Sequence, residues 1–451
     1  MRTVIIIGAG ITGLTAAYQL VRQGFKVIVI EASEETGGLA GSLMVDGRPV
    51  ERYYHFICRG DEELINFVDE LGLSERLHWS EARTSCFVDG RMYEFSTPAD
   101  LLRFRAIPLI DRIRFGLHVL VSQHRSTWQY LDRISAKKWL TERIGIKAYH
   151  AIWDPLLRIK FGAFHEQISA AWVWHRIHRV AKSRKTLFGS NTYGYLDQGC
   201  SVLLETLLHS LRESDLFHLE SSTFAGKIQI ENECVTGVLA GKDNRFIAAD
   251  SVISTISLPA FLKLAPYLPE YSEKLARIQY LNVACFLCRL DRPFTGNFWL
   301  NVNDPRLAIN GIIETSNLNP RTDLGGAYFI YIPFYLHHSD VRWKASDQDF
   351  YDECVTSLKV VRSDFSEKWI KDWWVSRDVS AQAICATGFL DLMPGYETPI
   401  AGLYIADSIH YYPEDRTISA SVKMGKHVAD LAAGTNRENK STCTATAAQD
   451  R

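Results

Sequence analysis

A chain of 451 residues with 47% hydrophobic content exceeds one ordinary core and has the apolar material to bury about two to three domains. Its formal charge of −2, from 50 Lys and Arg against 52 Asp and Glu, provides no global positive field and excludes nucleic acid as the partner. The nine cysteines are scattered, a set that fits a reducing compartment such as the cytosol. Cys285-x-x-Cys288 lies in the apolar run 282–288 and reads as buried strand thiols rather than as a metal or redox site, so no metal is expected.

The chain opens on the apolar run Thr3-Val4-Ile5-Ile6-Ile7, which leads into Gly8-Ala9-Gly10-Ile11-Thr12-Gly13. A helical pattern follows through Ala16, Ala17 and Leu20, and a second β-branched run, Val27 to Ile30, ends in Glu31. Gly8 suits a tight turn, Gly10 lets the backbone approach a pyrophosphate, and Gly13 lets the helix pack on the strand. The helix N-terminus, where Ile11 and Thr12 lie, offers free N–H groups to phosphate. Glu31 stands 21 residues after Gly10, where its carboxylate can bind both ribose hydroxyls and repel a 2′-phosphate, which argues against NADP. Residues 3–21 carry no charge, so a signal peptide or membrane anchor is the rival reading. Three glycines interrupt that stretch and no cleavage site follows it.

After Glu31-Ala32 comes a second glycine-rich turn, Thr36-Gly37-Gly38-Leu39-Ala40-Gly41-Ser42. It resembles the double-glycine segment of the superfamily of FAD-dependent amine oxidases, protoporphyrinogen oxidases and phytoene desaturases. The resemblance implies FAD as cofactor, with Ala32 and residues 37–42 running along the pyrophosphate and ribityl chain. Leu39 stands where many members carry an arginine. The implied fold is α/β, with a Rossmann-like FAD-binding domain of parallel sheet and β-meander. A substrate domain of antiparallel sheet and helical cap completes it.

Residues 43–95 carry short alternating segments, with a hairpin turning at Asp89-Gly90 and a helix from Asp61 to about Leu73. Between them Val50 to Phe56 matches the stretch that passes the isoalloxazine ring in the family, which makes His55 a catalytic candidate. A structural histidine satisfied by backbone is the equal alternative. Residues 98–184 turn helical and basic, and 99–125 alternates arginines with apolar residues, a composition that suits a solvated helix face or peripheral contact with an anionic membrane. In the family this region is the helical cap, so its tryptophans are expected as core or as tunnel wall.

The loop Tyr193 to Cys200 leads into a helix, Val202 to Leu211, and then into a three-strand meander over 226–249. Ala225, just before that meander, is a candidate backbone contact for adenine. The run 250–255 reads as the strand that re-enters the FAD domain, and 262–395 as the β-rich substrate domain with a helix from Gln348 to Val361. The strand Gly402 to Asp407 and the helix that starts at Asp415-Arg416-Thr417-Ile418 close the pattern. By resemblance Asp407 binds the ribityl chain and the helix N-terminus, at Thr417 and Ile418, faces flavin N1 and O2. Arg416 is a second catalytic candidate, either supporting reduced flavin or binding an anionic substrate.

These readings divide the chain into FAD-binding parts 1–95, 191–261 and 396–433, a cap at 96–190, a sheet domain at 262–395 and a disordered tail at 434–451. The expected activity is hydride removal from an amine, polyene or porphyrinogen-like small molecule to flavin N5, with oxygen, a quinone or another acceptor as reoxidant. A single dinucleotide fingerprint argues against a second NAD(P)H domain. The rivals are a redox-neutral sugar mutase similar to UDP-galactopyranose mutase and a non-enzymatic binding protein like the Rab escort relatives. The expected location is cytoplasmic, with peripheral membrane contact open, and oligomeric state carries no sequence signal.

Overall fold

The computed structural model describes residues 1–183, 191–265, 269–319 and 324–435. The expected disordered tail lies, from residue 436 on, outside the described residues, while the closing helix runs through Gly434 to Thr435.

Five parallel strands form the nucleotide sheet in the order Phe217–Glu220, Lys26–Ile30, Thr3–Ile7, Ser251–Ser254, Leu403–Ile405. Val4 pairs with Ser251 and with Val27, and Val252 pairs with Leu403, so segments far apart in sequence are neighbours. Alternate strand residues face opposite sides. Val4, Ile6, Val27 and Val29 pack beneath the helices Ile11–Arg22, Cys200–Arg212 and Ile418–Thr435. Ile5, Ile7, Ile28 and Ile30 pack against the meander through Ile228, Val238 and Ile247. A parallel sheet covered on both faces needs unbroken apolar strands, which is why these runs stand out in the sequence. The meander itself is antiparallel, with strands Ala225–Glu231, Cys234–Ala240 and Arg245–Ala248.

The second sheet has seven strands, in the order Ile370–Ala383, Tyr280–Leu290, Tyr328–His337, Gly311–Glu314, Trp299–Val302, Thr84–Val88, Arg91–Glu94. Its last two strands are the hairpin turning at Asp89-Gly90, which the division at residue 95 groups with the FAD part. The chain instead docks Thr84–Val88 parallel to Trp299–Val302, so the sheet is antiparallel except at this one join. Phe87 supplies the reason, since it is buried with Phe286, Leu300 and Val302 in the core beneath the sheet. Cys285 and Cys288, three apart on one strand, fall into cores on opposite faces and cannot pair with each other.

The helical cap packs on the large sheet, through Asp154–Phe161 against Tyr328–His337, and includes Pro98–Arg103, Leu109–His124, Ala136–Ile144, Asp154–Phe161 and Ala170–Lys182. Ser135 and Ser169 start two of these helices by accepting the N–H groups of Lys138 at 3.3 Å and Ala171 at 3.0 Å. Trp139, Trp172 and Trp174 are buried in its core, with Trp153 at the cavity wall.

One buried acid in the large sheet makes stability depend on pH. Glu314 accepts hydrogen bonds from the N–H groups of Phe294 at 3.0 Å and Thr295 at 2.7 Å, yet burial pushes its carboxyl up from 4.5 to about 7. The folded-state value lies above the unfolded one, so its proton stabilises the fold fully below pH 4.5 and that contribution is lost as pH rises towards 7. Urea unfolding should therefore show Glu314→Gln gaining on the parent protein between pH 5 and pH 8 by roughly 3 kcal/mol. A pH-independent difference between the two would refute the assignment.

Candidate active site

A single cavity of about 620 Å³ runs from the first glycine turn to the helical cap. At its nucleotide end lie Gly8, Gly10, Ile11, Thr12 and Glu31. No side chain caps the first helix at Gly10, so its N-terminal N–H groups open onto the cavity. Gly13 does not line the wall. A Cβ there would stand 2.0 Å from the Gly8 carbonyl oxygen, so Gly13 serves by letting helix and strand touch. The Glu31 carboxylate accepts the Ala9 N–H at 2.8 Å and the Ser33 N–H at 2.9 Å, which ties the second strand to the first turn.

The second glycine turn is stitched to the first by the Gly37 N–H, which donates to the Ala9 carbonyl at 2.8 Å. Gly37 has φ 109°, a conformation closed to other residues at little cost, and a Cβ there would meet Leu204 Cδ1 at 2.7 Å. Gly37, Gly38, Leu39 and Ala40 line the cavity, whereas Ala32, Gly41, Ser42 and Ala225 do not. Gly41 and Ser42 turn into a hairpin with Arg48–Glu51, and Ala225 pairs with Ala240 in the meander. Arg52, unmarked by the motif, donates to the Gly38 carbonyl at 2.6 Å and reaches Asp378 at 3.3 Å. A guanidinium thus reaches this turn from the far strand of the hairpin instead of from position 39.

Further along the wall the segment after the last strand delivers Asp407, and the start of the closing helix delivers Thr417 and Ile418. The Asp407 carboxylate accepts from the N–H of Leu258 at 2.8 Å, from the Ser408 N–H and from the Tyr280 hydroxyl. Burial raises its carboxyl, against the effect of those donors. Thr417 Oγ1 accepts the Ala420 N–H at 2.9 Å, and Arg416 precedes the first turn of this helix. The closing helix lies tight against the first one, since a Cβ on Gly425 would come within 2.6 Å of the Thr12 carbonyl oxygen. That contact sets the start of the first helix directly against the body of the closing helix.

His55 lines the cavity with its Nδ1 3.4 Å from Glu51 Oε1. The same carboxylate oxygen accepts the Cys200 N–H at 2.9 Å and so caps the helix Cys200–Arg212, with the imidazole beside it. Burial works to raise the Glu51 carboxyl, but His55 and Cys200 bring it below its ordinary value. The Cys200 thiol is pushed well up by burial and by Glu51.

Charge collects in the chamber beside Arg416. Asp415 accepts from Lys160 Nζ at 3.4 Å, Arg176 at 3.0 Å and Gln382 at 3.0 Å. Burial opposes ionisation of Asp415, yet Lys160, Arg176 and Arg416 hold its carboxyl well below the usual range. Tyr335 lies between Lys160 and Arg416, whose charges stand 4.3 Å and 5.8 Å from its ring centroid. Beside them Arg179 and Asp61 form a closed pair at 2.7 Å. His175, one residue before Arg176, has its ring pushed down to about 3 by burial and by Arg179, and its Nδ1 lacks a hydrogen-bond partner among the described residues. Phe95, Phe115, Val119, Ile152, Trp153 and Leu156 make the cap end apolar.

Lys160, Arg176, His175 and Arg52 carry no motif. The one hint is Lys160 itself, which stands between Ile159 and Phe161 in a run whose other cation, Arg158, is taken up by Asp154.

Backbone turns with φ positive, an uncapped helix end and an apolar channel fit a dinucleotide whose second half is a planar ring. A sequence profile of the flavin-containing amine oxidoreductases matches residues 11–430. The putrescine oxidase of Kocuria rosea is 32% identical over 149 residues, and that match spans 31% of each chain. Among solved structures, an oxidoreductase from Methanosarcina mazei superposes with a TM-score of 0.73 at 19% identity, covering 95% of this chain and all of that one. Reduced UDP-galactopyranose mutase superposes with a TM-score of 0.72 at 17% identity, covering 97% of this chain and 99% of that one, so the fold alone is shared. The chain belongs to the flavin-containing amine oxidoreductases.

Proposed function

We propose that the protein oxidises an organic substrate that carries an anionic group, held in the chamber by Arg176 and Arg416. The observation that carries this reading is the imbalance around Asp415, where Lys160, Arg176 and Arg416 face one carboxylate. Charge shielded from bulk solvent seeks a counter-charge, and an anion completes the set where an ammonium group is repelled. Bound FAD supplies the hydride acceptor. The protein residues orient and exclude water: Tyr54, Phe56 and Trp299 form an edge-to-face aromatic cluster beside the chamber, with the Tyr54 and Trp299 centroids 5.2 Å apart. His175, neutral throughout the working pH range, supports hydrogen bonding to substrate without adding charge. Oxygen, a quinone or another acceptor completes the cycle.

The same cations favour one second reading, a redox-neutral rearrangement of a nucleotide sugar whose diphosphate they bind. Anaerobic bleaching of the flavin by a panel of diamines, carboxylated polyenes, porphyrinogens and sugar nucleotides separates the cases. Bleaching by an anionic compound is expected. Fastest bleaching by a cationic amine overturns the anionic-substrate reading, and acceptor-free turnover of a sugar nucleotide by reduced protein selects the mutase.

A further inference from the structure

The helix Leu109–His124 is built inside out. Its buried positions include Asp111, His118 and Ser122, whereas Leu109, Ile110, Leu117 and Val121 are 58%, 63%, 59% and 56% exposed. Ile113 and Leu120 continue that exposed stripe at helical spacing, and Leu102 of the preceding helix extends it. A contiguous apolar face of this kind marks a contact surface, not solvent. The segment's own charges are equally one-sided. Within 99–125 the chain has five arginines, Arg103, Arg105, Arg112, Arg114 and Arg125, and its two carboxylates, Asp100 and Asp111, are both buried. Arg103 and Arg105 are exposed and Arg112, Arg114 and Arg125 half-buried, so the segment's exposed side chains carry positive charge and no negative charge.

We propose that this face docks the protein on an anionic lipid bilayer, lying in the interface with the apolar stripe inserted and the arginines at headgroup level. An exposed apolar stripe rimmed by basic residues matches that boundary in both polarity and charge. A second copy of the chain meets the stripe with the same positive rim and is repelled. Among the described residues no helix is long and apolar enough to cross a membrane, so the contact is peripheral. On its other side the same helix turns Phe115 and Val119 to the cavity wall. The bilayer and the substrate chamber thus lie on opposite faces of one helix, an arrangement that suits a lipid-soluble substrate.

The test is co-sedimentation of the full-length holoprotein with vesicles of pure phosphatidylcholine and with vesicles in which about a quarter of the lipid is phosphatidylglycerol. The parent protein should sediment with the anionic vesicles and be released by salt. Leu117→Asp with Val121→Asp should lower partitioning by about ten-fold or more. Arg103→Gln and Arg105→Gln should each lower it by about five-fold. Retained flavin absorbance in each variant shows that the fold survives. Failure of the parent protein to bind anionic vesicles overturns the proposal, as does unchanged binding by the apolar variant. A parent dimer that the aspartates convert to monomer also overturns it, because a second copy then covers the face. None of these readouts depends on turnover, so they stand apart from the substrate reading.

Discussion

Replacing Gly13 with valine should leave a protein that no longer retains FAD. The added Cβ would fall 2.0 Å from the Gly8 carbonyl oxygen and 3.0 Å from Thr255 Oγ1. Backbone on one side and a hydroxyl already donating to the Ile7 and Gly8 carbonyls on the other leave nothing flexible to move. The helix Ile11–Arg22 must then lift from the strand, carrying away the N–H groups that open towards the phosphates. Overpacking against fixed backbone costs about 3 kcal/mol or more, which is on the order of a hundred-fold in affinity before any phosphate contact is lost. Flavin content per protein, read from absorbance after gel filtration, measures it. Gly296→Ala, where nothing lies within 4 Å, serves as the control and should keep its flavin. Full flavin in Gly13→Val would mean that the first turn is not the phosphate cradle.

Arg416→Met and Arg176→Met should each lower kcat/KM by about a hundred-fold to a thousand-fold while flavin content stays near that of the parent, because losing one partner of a desolvated charge pair costs about 2–5 kcal/mol. The two losses should differ in kind. Arg176 donates directly to Asp415 at 3.0 Å, so its removal also loosens the chamber. Arg416 is held by Tyr335 and by its place before the closing helix, so its removal should act on the substrate alone and appear mainly in KM. Steady-state kinetics with whichever compound bleaches the flavin would decide. Unchanged kcat/KM in both variants would remove the anionic group from the substrate.

The nucleotide half of the site is legible in sequence because its signal is local. Gly8, Gly10 and Glu31 stand at spacings that one strand, one turn and one helix dictate, and Gly37 needs φ 109° whatever surrounds it. The closing segment is legible for the same reason, as an apolar strand ending in Asp407 before a helix. The chamber is not. Lys160 and Asp415 lie on different elements and meet only after the cap folds over the sheet. His175 has an unremarkable sequence context, and only its burial beside Arg179 keeps it neutral. The hairpin at Asp89-Gly90 is readable as a hairpin, but its parallel partner Trp299–Val302 lies more than two hundred residues away, and no local pattern names it. The inverted helix Leu109–His124 shows the limit from the other side. Its period is plain in the sequence, while which face turns inward is decided by what it packs on.

The register of the nucleotide sheet also dictates when the protein can become active during its synthesis. The strand Thr3–Ile7 leaves the ribosome well before its partner, so the edge that pairs with Ser251–Ser254 stays open until that strand emerges. The fifth strand, Leu403–Ile405, and the helix Ile418–Thr435 come later still. An open apolar strand edge invites wrong pairing, so the nascent chain has a long interval in which it depends on chaperones or on speed. The nucleotide-binding end can form well before the ring end exists. FAD capture is therefore a late event, and a ribosome that stalls before Thr417 releases a chain with half a site.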